Sequence, residues 1–133
     1  MAALSVALTL LMLANVVWAS AGKHYSGKTS QHQSISFAIS AGKLTRLRFG
    51  IITKCSHHKK LRFLPSGFQA FAISGSSFDQ KFQSKSGTAR ISGKLSGATI
   101  RGTLALRTTT PHCSGSATYK VTPVHRRRHH PAG

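Results

Sequence analysis

One carboxylate, Asp79, is the whole acidic complement of a chain that carries 19 Lys and Arg and no Glu. Glycoside hydrolysis commonly works with a pair of carboxylates, and here a second side-chain acid does not exist. A Ser-His-acid triad would have to use Asp79 as its orienting group, yet no serine stands in a G-x-S-x-G elbow. Glycines are scattered singly and none are grouped to cradle a phosphate ahead of a helix. Asp79 reads instead as a solvent-facing strand residue. The chain is therefore taken as non-catalytic, with no cofactor implied.

Two further residue sets have chemistry to offer. Cys55 and Cys113 are the only cysteines, and in an exported chain a lone pair is expected to bridge. Cys55 shares parity with the apolar positions of its strand and Cys113 with Ala117, Tyr119 and Val121, so both point inward. Closing the loop between them would contribute roughly 4 kcal/mol by restricting the unfolded chain. Free or catalytic thiols are the alternative. Such a bridge would also draw His57, His58 and His112 toward one end of the domain, and three neutral imidazoles suit zinc, copper or nickel. Lys59 and Lys60 beside them oppose a cation, which leaves these histidines as candidates and no metal as the expectation.

The largest set is basic. The formal net charge is +18 at pH 7, and groups without internal partners must be solvated or matched from outside. Arg46, Arg48, Arg90, Lys94, Arg101 and Arg107 all fall on the polar parity of predicted strands. If those strands neighbour one another, they make a cationic plate interleaved with Ser and Thr hydroxyls. Arginine suits phosphate because its guanidinium donates two parallel hydrogen bonds. No set of aromatics shares that parity, which argues against stacking on bases and for contact with a polymer backbone. Arg126, Arg127 and Arg128 in the tail would add to the same attraction. Expected partners are anionic polymers of the cell envelope or extracellular space, or nucleic acid without sequence preference. The competing reading is a structural or interaction protein whose charge only keeps it soluble.

The elements that must position these residues are strands. Residues 88–108, TARISGKLSGATIRGTLALRT, alternate in hydrophobicity on both sides of a turn at Ser96-Gly97. Ala89, Ile91, Gly93 and Leu95 face one way, followed across the turn by Ile100, Gly102, Leu104 and Leu106. A period of two is the mark of half-buried antiparallel strands. Gly93 and Gly102 interrupt the pattern mid-strand and predict bulges. Residues 34–40 alternate likewise. Residues 43–55 read as one long strand with Thr45, Leu47, Phe49, Ile51, Thr53 and Cys55 on a shared face. Shorter strands are predicted near residues 61–64, 78–82 and 117–121. Regularly spaced short strands punctuated by Gly and Ser imply an all-β sandwich or barrel, antiparallel, of about seven to nine strands with one disulfide.

The ends of the chain differ from this middle. Met1 to Ala21 reads as a secretory signal peptide, cleaved near Ala21 and leaving a secreted protein. Its apolar run, Ala2 to Trp18, is short for a membrane span, and Ala19-Ser20-Ala21 gives the small-x-small pattern. A retained anchor is the other reading. Residues 22–122 form the predicted domain, and 123–133, PVHRRRHHPAG, a disordered basic tail without apolar periodicity.

Gly27-x-Thr29-Ser30-Gln31, Phe37, Leu47-x-Phe49, Cys55, Phe78, Gly93-x-Leu95, Gly97, Gly102-Thr103-Leu104 and Cys113-x-Gly115 together resemble a group of small secreted actinobacterial proteins of unknown function. The resemblance covers about residues 27–121. It implies a compact β-sandwich with one cysteine pair and says nothing about substrate. This chain departs from the group at His32, where Gly is usual, and near Tyr119, where Trp is.

Overall fold

The computed structural model describes residues 22–124, and the expected signal peptide (1–21) and the tail arginines Arg126, Arg127 and Arg128 lie outside them. The described residues form ten antiparallel strands: β1 (Lys23–Thr29), β2 (Ser34–Ser40), β3 (Lys43–Phe49), β4 (Ile51–Cys55), β5 (Lys60–Phe63), β6 (Phe71–Ala72), β7 (Ser77–Ser84), β8 (Gly87–Ser96), β9 (Thr99–Thr109) and β10 (His112–Pro123). Among the described residues the only helical piece is a 3-10 turn at Ser56–His58. The fold is the all-β, disulfide-bearing domain that the alternation predicts, with more strands than expected.

Hydrogen bonds run in the order β6-β3-β2-β1-β10-β9-β8-β7, with β4 joining β10 and β5 off that path. The sheet curls until its ends nearly meet, as a barrel. After β6 the chain turns directly into β7, with a bridge between Ser74 and Ser77. The remaining seam is filled by side chains: Phe68 packs on Phe49 and Phe82, and Phe71 on Phe78 and Phe82. Inside, Phe37 is met edge-on by Phe78 and Tyr119 and is stacked with Tyr25. Ile35, Ile51, Ile91, Ile100, Leu104 and Val121 complete a fully buried centre.

Three expectations about individual strands change. The turn between β8 and β9 is Gly97-Ala98, since Ser96 and Thr99 are the last pair; Gly97 takes φ +62°, a conformation glycine adopts without steric cost. Gly93 and Gly102 mark no bulge: β8 and β9 pair residue for residue through both. They face each other, flanked by Phe78 opposite Gly93 and Tyr119 opposite Gly102; Phe78 and Tyr119 take the space of a Cβ on Gly93, and the backbone of Ser92 takes that of a Cβ on Gly102. The bulge lies instead between β2 and β3, where the register shifts between Ser36 and Ala38 and Arg46 has φ +55°. It turns Leu44 inward in place of Thr45 while Leu47 and Phe49 stay buried. The predicted single strand over 43–55 breaks at Gly50, so that β3 serves β2 and β4 serves β10.

The handover between those partners is built by the β1–β2 turn. β1 leaves β10 at Thr29 opposite Tyr119, and β4 joins β10 only at Ser114 and Cys113. Between them, Ser30 N–H donates to Thr118 C=O and Thr118 N–H to Ser30 Oγ. Gln31 reaches the other side: its Nε2 donates to Ile52 C=O at 2.9 Å, and Ile52 N–H donates to its Oε1 at 2.8 Å. The side-chain amide thus stands in for one residue of strand. Thr29 Oγ1 accepts from Gln31 N–H and Gln33 N–H and fixes the turn that presents it. Cys55 and Cys113 lie directly opposite and are bonded, 58 residues apart in the chain. At the far end β10 continues through Pro123, and Val124 N–H donates to His24 C=O, so the sheet includes the first residues of the expected tail.

Candidate anion-binding face

Outward positions of adjacent strands line up in rows across the sheet, because opposed residues in an antiparallel pair project from the same side. One such row is basic. Lys94 opposes Arg101, Arg101 opposes Lys120, and Lys120 opposes Lys28. All are exposed. With strands about 4.8 Å apart, the backbone positions of the row span about 14 Å. Serines close it at both ends, Ser77 beside Lys94 and Ser34 beside Lys28. Lys28 Nζ donates to Ser34 Oγ at 3.1 Å. No carboxylate stands in the row.

Next to it runs a band of hydroxyls. Ser92, Thr103 and Thr118 oppose one another in turn, and Ser92 Oγ and Thr103 Oγ1 share a hydrogen bond of 2.7 Å. Asp79 enters this band from β7, opposite Ser92. Its carboxylate accepts from Arg90 Nε at 2.8 Å and Arg90 Nη2 at 2.6 Å. Arg90 holds the Asp79 carboxyl below its ordinary value, and both side chains remain open to water. The sole side-chain acid is thereby spent on one arginine.

The predicted basic residues therefore separate into sets. Lys94 and Arg101 belong to the row. Arg90 is paired with Asp79. Arg107 lies farther along β9, opposite Thr88 and Ser114. Arg46 and Arg48 project outward from β3, two strands beyond β1 around the curve, where Arg48 opposes Ser36. Lys28, Lys120 and Lys54 were not among the predicted site residues. Lys120 was open to discovery, since it alternates with Tyr119 and Val121. Lys28 was not, because β1 has little apolar alternation to reveal it as a strand.

The histidine expectation is not met as a cluster. Among the described residues no three His, Cys, Asp or Glu side chains gather as a metal site. The disulfide does bring the two segments together, but His112 is drawn into the β9–β10 hairpin opposite Thr109. His57 and His58 sit on the 3-10 turn with left-handed backbone, φ +63° and +60°, and all are exposed.

Compared with protein-family models and with curated proteins, the chain matches none.

Proposed function

We propose that this domain is a non-catalytic module that binds anionic polymers through the outer face of β8, β9, β10 and β1. The observation that carries the reading is the row Lys94, Arg101, Lys120 and Lys28. Like charges directly opposite on a sheet destabilise it, and no acid is left to offset them. A polyanion laid across the row removes that repulsion and releases the counterions that otherwise surround it.

The solubility reading accounts for this placement poorly. Charges that guard a sheet against aggregation belong on edge strands, whereas β8, β9, β10 and β1 are each paired on both sides. A disulfide in a small domain fits an oxidising compartment, and export is part of the proposal, as is kinship with the small secreted actinobacterial group.

Binding isotherms at several salt concentrations test it, with heparin, DNA and a polyol phosphate as ligands. On DNA the log–log slope counts displaced contacts at about 0.7 to 0.9 each. Replacing Lys28, Lys94, Arg101 and Lys120 by Gln together lowers the slope by about three units. Replacing Arg126, Arg127 and Arg128 by Gln lowers it by about two. An unchanged slope in the fourfold variant, with binding abolished by the tail variant, would return the face to an ordinary solvated surface.

A further inference from the structure

The row is one of two cationic features on the same outer face. Along β9, Arg107 shares parity with Arg101 and lies about 20 Å from it, beyond the hydroxyl band and Ala105. There the sheet is hollow. A groove of about 670 Å³ has a floor of small residues, Ala105, Ser114, Gly115 and Ser116, with Arg107, Lys54, Lys81 and Gln31 among its walls. Gly115 is what lets β4 approach β10 here, since a Cβ on it would stand 2.6 Å from Ile52 C=O.

Register fixes the charges around this floor. Arg107 opposes Ser114 on one side and Lys54 opposes it on the other. The two cations are therefore two strand spacings apart, about 10 Å at the backbone, with a hydroxyl between them. Side chains of that length are long enough to meet over the intervening strand. A tetrahedral oxyanion placed there meets a guanidinium fork, an ammonium and a serine O–H. No aromatic residue lines the groove, so bases would find no stacking platform. Ser116 and the band of Ser92, Thr103 and Thr118 instead offer hydroxyls along the path to the row, with Arg90 and the Asp79 carboxylate it holds at the β7–β8 side of that path.

We propose that the groove is a second contact for the polymer that lies on the row, and that the ligand class is a polyol chain bearing tetrahedral oxyanions. This rests on the reading above and narrows it. One chain engages both sets only if it spans about 20 Å. Affinity then rises in a step at that length, by about a hundredfold, as the second contact becomes intramolecular.

A length series tests this: glycerol phosphate oligomers, sulfated oligosaccharides and single-stranded oligonucleotides of matched length, each titrated at fixed salt. The expected result is a step near 20 Å with the phosphate or the sulfate series, whichever shows it naming the source. Lys54→Gln with Arg107→Gln removes the step, so that long chains no longer gain over short ones beyond the smooth trend. Both residues are exposed, and thermal unfolding checks that the variant keeps its fold. A smooth length dependence in all series, a step that survives in the double variant, or tighter binding of the oligonucleotides overturns the inference. Failure of the polyanion reading itself looks different: the fourfold row variant then binds every chain as the unmodified protein does.

Discussion

Tyr119 does two jobs that depend on each other. It stands opposite Gly102 and carries its hydroxyl to Gly93, and that hydroxyl donates to Ser92 C=O at 2.7 Å, two strands away. The residue is 4% exposed. Burial pushes the phenol well above its ordinary value, so the folded protein holds the proton longer than the unfolded chain does. A raised value of this kind contributes stability in full below about pH 10, where a free tyrosine ionises. That contribution is then lost as pH climbs toward the folded value. Tyr119→Phe is expected to cost about 1 kcal/mol at neutral pH for the hydrogen bond and to show a shallower fall above pH 10. Urea unfolding at pH 7 and at points above pH 10 measures both. Tyr25, also raised by burial, leaves a residual fall, and an identical alkaline slope in the variant would refute the assignment. Two glycines in mid-strand suggested an irregularity; Gly93 instead makes room for side chains of β7 and β10 and Gly102 for the backbone of β8, and strand order, not local spacing, creates those contacts.

At the scale of elements, β10 is held on one side by two partners in succession, and two devices secure the change. The β4 partnership covers only Cys113 and Ser114, too few to persist without help. The disulfide supplies a covalent clamp and Gln31 a polar one. Gln31→Ala leaves Ile52 N–H and C=O without their amide partner, a loss of about 1–3 kcal/mol. Reduction of Cys55–Cys113 costs roughly 4 kcal/mol through its 58-residue separation. Because both act on the same joint, the losses are expected to fall short of additive. A cycle of Gln31→Ala, reduced and oxidised, followed by denaturant unfolding gives the coupling, and strict additivity would mean the two act independently. The cysteine pairing was legible from parity. The Gln31 contact was not, because a side chain imitating a strand leaves no periodic trace. β1 escaped for a related reason: in KHYSGKT only Tyr25 is a large buried group, and Gly27 sits where alternation would place another. β8 and β9 were legible because both of their faces obey the period of two. Their cations were assigned to the correct side on that basis, but strand order decided which of them share a row, and order is a long-range property that local spacing does not carry.

For the molecule as a whole, one acid against 19 Lys and Arg makes salt act in opposite directions on folding and on binding. Neighbours in the row sit about 5 Å apart at the backbone, well inside the screening length of about 10 Å at 0.1 M salt. Their repulsion therefore survives at moderate ionic strength and is removed only as the screening length falls to about 3 Å near 1 M. The free protein is expected to gain thermal stability across that range. A bound polyanion stabilises the folded state by mass action, most at low salt, where counterion release favours association. Melting curves with and without saturating heparin should therefore start far apart at low salt and converge as salt rises. Gln at positions 28, 94, 101 and 120 should raise the low-salt melting point of the free protein and shrink the separation between the curves. The first effect comes from lost repulsion and the second from lost contacts, so the same four cations must produce both if the row is a binding surface. A variant that gains stability yet keeps the full response to heparin would place binding elsewhere on the chain. One that changes neither would mean that water alone already screens the row.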